Sequence, residues 1–100
     1  MVRISVTSRT QEEVVLKLEG WVVREAVPLL EREGRHWLDQ GHRVVLDLDG
    51  VRFIDQGGLE LLAGWAGARL VLQGGSPFVQ ALLQRRGLVP APDPSKDAGA

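Results

Sequence analysis

The sequence predicts a single α/β domain, in which a mixed β-sheet of four to five strands is packed by three main helices. Three observations predict this fold class. Apolar and polar residues alternate near the N-terminus, a continuous apolar run follows in the middle of the chain, and three stretches with helical spacing begin or end at capping residues. A chain of 100 residues is long enough to bury one modest core.

Two strands are predicted in the first part of the chain. Their apolar residues recur with the period of two that is typical of a half-buried strand: Val2, Ile4 and Val6, then Val14, Leu16 and Leu18. The polar stretch 8–13 separates the two strands, and Gly20 is predicted to end the second. We therefore expect an antiparallel hairpin at the edge of the sheet.

The first helix is predicted from about Ala26 to Gln40, after a loop over 21–24. Pro28 suits the first helical turn, where its missing N–H group costs nothing, and Gly41 is a good stop. The residues predicted to face the core are Val27, Leu30, Gly34, Trp37 and Leu38.

The central strand is predicted at Val44–Leu48, because a near-continuous apolar run is typical of a strand covered on both faces. Asp49-Gly50 is predicted to end it in a turn. Asp55 then opens the second helix, since its carboxylate can accept hydrogen bonds from free backbone N–H groups.

The second helix has apolar residues on two faces. Spacing predicts an inward face of Leu59, Leu62, Ala63 and Ala66 and an outward face of Glu60, Leu61, Gly64 and Trp65. Leu61 and Trp65 lie four residues apart, so together they predict a solvent-facing contact patch beside Glu60. In the alternative register, Gly58, Leu61, Leu62 and Trp65 form the stripe and the pair is buried.

A short strand is predicted at 69–72, followed by a Gly74-Gly75 turn and the last helix. Ser76 is its predicted N-cap, Pro77 occupies its first turn, and Gly87 stands just past its end. The predicted domain covers residues 1–89. The stretch 90–100 lacks enough apolar surface to order and is predicted to be a disordered tail.

Composition excludes several function classes. The chain has no cysteine, a formal net charge of −1 and no apolar segment long enough to cross a membrane. We therefore expect no nucleic-acid binding, no direct membrane insertion and a cytoplasmic location. Asp47, Asp49 and Asp55 suggest a Mg²⁺ cluster, but turn and cap chemistry explains them better. His36 and His42 are predicted to be surface residues. We expect no catalytic residue, no metal and no cofactor.

The central stretch resembles the STAS domain family, which includes bacterial anti-sigma factor antagonists. The resemblance rests on Val44–Leu48 with its Asp47, then Phe53-Ile54-Asp55, then Gly58-Leu59. In that family a hydroxyl residue, the second after the Asp, is phosphorylated. That position here is Gly57, and the first is Gln56, so neither can accept a phosphate. The acidic residue that the family places near position 23 is also absent.

The resemblance implies a non-enzymatic protein–protein interaction module that is not regulated by Ser/Thr phosphorylation at the usual site. Its partner would be an anti-sigma factor or related kinase. Two alternatives stay open: an accessory STAS subunit bound to the ATPase of an ABC-type lipid transporter, or a domain that senses a nucleotide or other small ligand. A homodimer is also compatible with the sequence. The predicted partner-binding residues are Asp55, Gln56, Gly57, Gly58, Glu60, Leu61 and Trp65.

Overall fold

The computed structural model describes residues 2–65 and 69–91, and within them it confirms the predicted fold class. A mixed sheet of four strands is packed by three α-helices. The elements in chain order are β1 (Val2–Arg9), β2 (Glu13–Val22), a 3₁₀ turn (Arg24–Ala26), α1 (Val27–Asp39), β3 (Arg43–Ile54), α2 (Gln56–Trp65), β4 (Leu70–Gln73) and α3 (Pro77–Gln84).

The strands lie in the order β1-β2-β3-β4. β1 pairs with β2 in the antiparallel direction, which confirms the predicted edge hairpin, and β2, β3 and β4 are parallel. Both parallel crossovers step in the same direction across the sheet. Because such connections are right-handed, α1 and α2 lie on the same face of the sheet.

The hydrophobic core lies between this face of the sheet and the helices. It combines alternate residues of the parallel strands with inward residues of all three helices, among them Leu16, Leu46, Leu72, Leu30, Leu62, Val79 and Leu83. Val45 lies outside this core, although only 5% of it is exposed. Successive side chains of a strand alternate between faces, so Val45 belongs to the opposite face, which we call the open face.

β2 and β3 are both longer than the sequence predicts. β2 continues through Gly20 to Val22, and β3 continues through Asp49-Gly50 to Ile54, so both predicted stops are wrong. The ladder accommodates the extra residues by two register shifts. From Lys17↔Asp47 to Glu19↔Gly50, β2 advances two residues and β3 three; a second shift follows Gly20↔Val51. Bulges of this kind allow an Asp-Gly pair to lie within a strand instead of ending it.

α1 confirms most of the predicted inward stripe, because Leu30, Gly34 and Trp37 are buried. The predicted loop before it instead contains the 3₁₀ turn. The prediction that His42 is a surface residue is wrong: its ring meets the edge of Trp37 at a centroid distance of 5.4 Å and is 8% exposed. Packing against the buried Trp37 ring therefore keeps His42 away from solvent, although His42 follows the end of α1. No helix in the described part of the chain is long and apolar enough to cross a membrane.

The C-terminal part of the described chain forms α3 and then returns to pair with β4. Ser76 Oγ accepts a hydrogen bond from Val79 N–H at 3.2 Å, which confirms the predicted N-cap of α3, and Gly87 has φ +74° beyond its end. Ala91 then forms a parallel bridge with Gln73. Ala91, the second residue of the predicted tail 90–100, therefore pairs with the edge of the sheet. Its remainder, 92–100, lies outside the described residues, and the disordered tail stays a prediction.

Candidate functional site

Asp55 joins two loops at the carboxyl ends of the parallel strands. Its Oδ1 accepts a hydrogen bond from Gly58 N–H at 2.8 Å, which confirms the predicted cap of α2. Its Oδ2 accepts a second bond, from Arg24 N–H at 3.0 Å. The backbone N–H of Asp55 also donates to the carbonyl of Val22 at 3.2 Å. Asp55 therefore fixes the connection after β2 against the connection after β3.

The two glycines after Gln56 are tightly packed. Gly58 is buried, and a Cβ atom there would overlap the carbonyl oxygen of Val22. Gly57 does not have a positive φ, but a Cβ atom at this position would lie 3.0 Å from Cβ of Arg24. A side chain at the position of the family's hydroxyl thus needs the connection before α1 to give by a few tenths of an ångström.

The register of α2 differs from the solvent-facing patch that the sequence favours. Leu61 and Trp65 are half-buried and pack against the hydrophobic core. The Trp65 ring covers Gly34 of α1, because a Cβ atom built on Gly34 would lie 2.8 Å from Cη2 of Trp65. The prediction that Leu61 and Trp65 face solvent is therefore wrong, and the alternative register is the observed one. The missing side chain of Gly34 leaves the space that the ring fills.

Truncating Trp65 tests this register. We expect Trp65→Ala to lower the free energy of unfolding by about 2 kcal/mol, somewhat less than for a fully buried tryptophan, because it opens a cavity between α1 and α2. Urea denaturation followed by circular dichroism measures the change. Trp21→Ala is the matched control: Trp21 is 55% exposed, so the same truncation should stay within about 0.5 kcal/mol. Equal losses in the two variants would contradict the packing of Trp65.

Three exposed aromatic side chains lie beside the Asp55 loop (residues 55–58). Trp21 and Phe53 are cross-strand partners at the carboxyl ends of β2 and β3. The Phe53 ring stacks on Phe78, in the first turn of α3, with a centroid distance of 6.4 Å and an interplanar angle of 21°. Trp21, Phe53 and Phe78 are 55%, 39% and 56% exposed. We call these three residues the aromatic end.

The aromatic end and the Asp55 loop form one surface. A shallow hollow between them is lined by Trp21, Val23, Glu25, Phe53 and Asp55. A second hollow continues from Trp21 to Leu29 of α1. These three aromatic residues are not among the predicted partner-binding residues. The sequence shows only that three large rings lie close to predicted turns and caps. Their spacing has no period from which a shared face could be predicted.

The predicted partner-binding residues divide into two groups. Gln56 and Glu60 are exposed, and Asp55 and Gly57 are half-buried beside them. Gly58 is buried, and Leu61 and Trp65 belong to the contact with the core. The structure thus brings the first group to the surface next to the aromatic end, whereas the second group serves the packing of α2. Contact of any of the seven with a partner stays a prediction.

The aspartates near this surface bind backbone groups. Asp47 Oδ1 accepts a bond from Asp49 N–H at 3.0 Å, and Asp49 Oδ1 accepts one from Gly75 N–H at 2.9 Å. Across residues 2–65 and 69–91, no three His, Asp or Glu side chains are grouped so that they could hold a metal ion. Each carboxylate stabilises a strand bulge or loop.

Comparison with known proteins agrees with this fold. A solved structure of the anti-sigma factor antagonist SpoIIAA in its unphosphorylated form matches with a TM-score of 0.77 at 22% identity, over 96% of this chain and 92% of that one. The phosphorylated Bacillus cell fate determinant SpoIIAA matches with a TM-score of 0.67 at 19% identity, over 96% of each chain. An uncharacterised Shewanella loihica protein with a SpoIIAA-like fold gives 0.62 at 8% identity, over 97% of this chain and 88% of that one.

These identities show a shared fold only. No curated protein matches the chain. The family model described as "Mlab, STAS domain" matches residues 5–89, which is most of the sequence. The chain therefore belongs to the STAS domain family.

Proposed function

We propose that this protein is a non-enzymatic protein–protein interaction module, and that its partner docks on the aromatic end together with the Asp55 loop. The observation that carries this proposal is the exposure of Trp21, Phe53 and Phe78 side by side. Large aromatic residues are enriched in protein interfaces, and tryptophan is a frequent hot spot. A contiguous group of such residues on a small domain is typical of a contact surface.

The fold and the family support two kinds of partner. The structural relatives include an anti-sigma factor antagonist, which favours an anti-sigma factor or related kinase. The family resemblance equally allows the ATPase subunit of an ABC-type lipid transporter. Both are folded proteins that would bury the aromatic end, so the mode of docking is the same. The chain is proposed to act by binding and to carry out no chemical step.

Docking is proposed to be independent of phosphorylation at the Asp55 loop. SpoIIAA has been solved in both phosphorylated and unphosphorylated forms, so that protein carries the modification. Here no Ser, Thr or Tyr lies between Thr10 and Ser76. The loop can therefore not acquire the roughly 1.5–2 negative charges that a phosphate would add to a packed contact. Regulation would have to come from the partner.

Truncation of Trp21 tests the docking surface. A partner is first captured from the native organism with the purified chain as bait, and its affinity is then measured by isothermal titration calorimetry. We expect Trp21→Ala to weaken binding by about 2 kcal/mol, because an aromatic anchor is lost. Val6→Ala is the control, since Val6 is 49% exposed but lies in β1 away from this surface. Unchanged affinity in both Trp21→Ala and Phe53→Ala would contradict the proposal.

A further inference from the structure

The open face of the sheet carries a row of valines across three parallel strands. Val15 pairs with Val45, and Val45 pairs with Val71. All three helices contribute to the core on the other face, and Val45 is outside that core. Val15 and Val71 are half-exposed. Within the described part of the chain, the residues that the three helices bury belong to the core on the other face of the sheet.

Charged residues flank the valine row with alternating signs. Two residues before it, Glu13 of β2 pairs with Arg43 of β3; two residues after it, Lys17 pairs with Asp47. All four lie on the open face, because residues separated by two along a strand share a face. In both β2 and β3, the charged residue before the row and the charged residue after it therefore have opposite signs. The charges lie about 7 Å on either side of it, given a rise of about 3.3 Å per residue.

This pattern is complementary to itself under one two-fold rotation. If the axis runs along the valine row, each strand faces the same strand of the second copy, and the two strands run in opposite directions. Glu13 then lies opposite Lys17 of the second copy, and Arg43 lies opposite Asp47 of the second copy. If the axis instead runs along β3, Arg43 faces Arg43 and Asp47 faces Asp47, which is repulsive. The charges thus select the first arrangement.

We propose that a second copy of this chain packs on the open face, with the two-fold axis along Val15, Val45 and Val71. Two sheets stacked in this way lie about 10 Å apart and bury the valine rows against each other. Glu13 and Arg43 are available for exchange between copies, because they are only loosely paired at 3.8 Å with side chains 42% and 58% exposed. The interface is isologous, as a closed dimer requires.

This dimer is independent of the proposed docking function. The axis crosses β2 and β3 near their amino ends, at Val15 and Val45, whereas Trp21 and Phe53 lie near their carboxyl ends. Both aromatic ends are left uncovered, at opposite ends of the dimer. Loss of self-association therefore leaves partner binding intact, and failure of the docking proposal leaves the dimer untouched.

Sedimentation equilibrium with single charge reversals tests the proposal. The wild-type chain should dimerise. Lys17→Glu places Glu opposite Glu13, and Glu13→Lys places Lys opposite Lys17. The dimer dissociation constant of each variant alone should therefore be at least about tenfold higher than that of the wild type. In an equimolar mixture of the two variants, every facing pair is again of opposite sign, and dimers should return. Circular dichroism establishes that each variant is folded.

Arg35→Glu is the matched control, because Arg35 is exposed on α1 and undergoes the same change of charge away from the open face. Its self-association should equal that of the wild type. A wild-type chain that sediments as a monomer at every concentration overturns the proposal. So does a dimer that Lys17→Glu leaves unchanged, or a mixture of the two variants that fails to recover. If a single variant does not fold, the doubly swapped Glu13→Lys/Lys17→Glu chain must still dimerise.

Discussion

Replacing Gly58 with alanine should lower the free energy of unfolding by about 3 kcal/mol. Gly58 is buried in the first turn of α2, where an added Cβ atom would overlap the carbonyl oxygen of Val22 and lie 3.0 Å from Cγ2 of Ile54. Neither neighbour is the end of a flexible side chain, so the helix has to move away from β2. Chemical denaturation followed by far-ultraviolet circular dichroism measures the loss.

Gly64 provides the control in the same helix. It is exposed and has no positive φ, and among the described residues an added Cβ atom would meet no atom within 4 Å outside its own helix backbone and chain neighbours. Gly64→Ala should therefore raise the free energy of unfolding by about 0.5–1 kcal/mol, because alanine is the better helix former. If both alanine variants changed stability alike, the contact between Gly58 and β2 would not be the constraint that the structure indicates.

Replacing Asp55 with alanine should lower the free energy of unfolding by about 2–3 kcal/mol. The cap of α2 is lost, and the N–H groups of Gly58 and Arg24 both lose their acceptor. Asp55→Asn should cost less, since its carbonyl oxygen can still cap the helix while its amide group cannot accept from Arg24. Thermal unfolding of the two variants measures the contribution of each carboxylate oxygen.

Ser76→Ala is the control for a cap that makes one bond. Ser76 Oγ accepts only from Val79 N–H, at 3.2 Å, among the hydrogen bonds of the described side chains. Its loss should cost about 1 kcal/mol. A loss at Asp55 no larger than at Ser76 would show that the bond from Arg24 N–H contributes nothing to stability.

Local features of the fold could be predicted because a single residue type determines them. Asp55 and Ser76 cap helices through their own side-chain oxygens, and alternation identifies the core face of β2. The course of β3 past Asp49-Gly50 could not be predicted, since the same dipeptide is compatible with a turn or with a bulge. Whether it becomes a bulge depends on pairing with β2, which is not a local property of this sequence.

The aromatic part of the candidate site could not be predicted, for the same reason. Two register shifts precede Phe53, so a period of two cannot say on which side its ring lies or that it meets Phe78. In α2, apolar residues occur on both faces, and the choice between registers depends on Gly34, far away in the sequence. The sequence thus identified the Asp55 loop, whereas its aromatic neighbours could be identified only from the fold.

The two hydrogen bonds of Asp55 also bear on the entropy of association. Because one carboxylate holds Arg24 N–H and Gly58 N–H together, the two loops at this end of the sheet are already ordered in the free protein. Ordering of interface side chains and loops otherwise costs about 0.5–1.5 kcal/mol for each flexible side chain. A preorganised surface avoids much of that cost. The conformational entropy lost when a complex forms would then fall mainly on the partner.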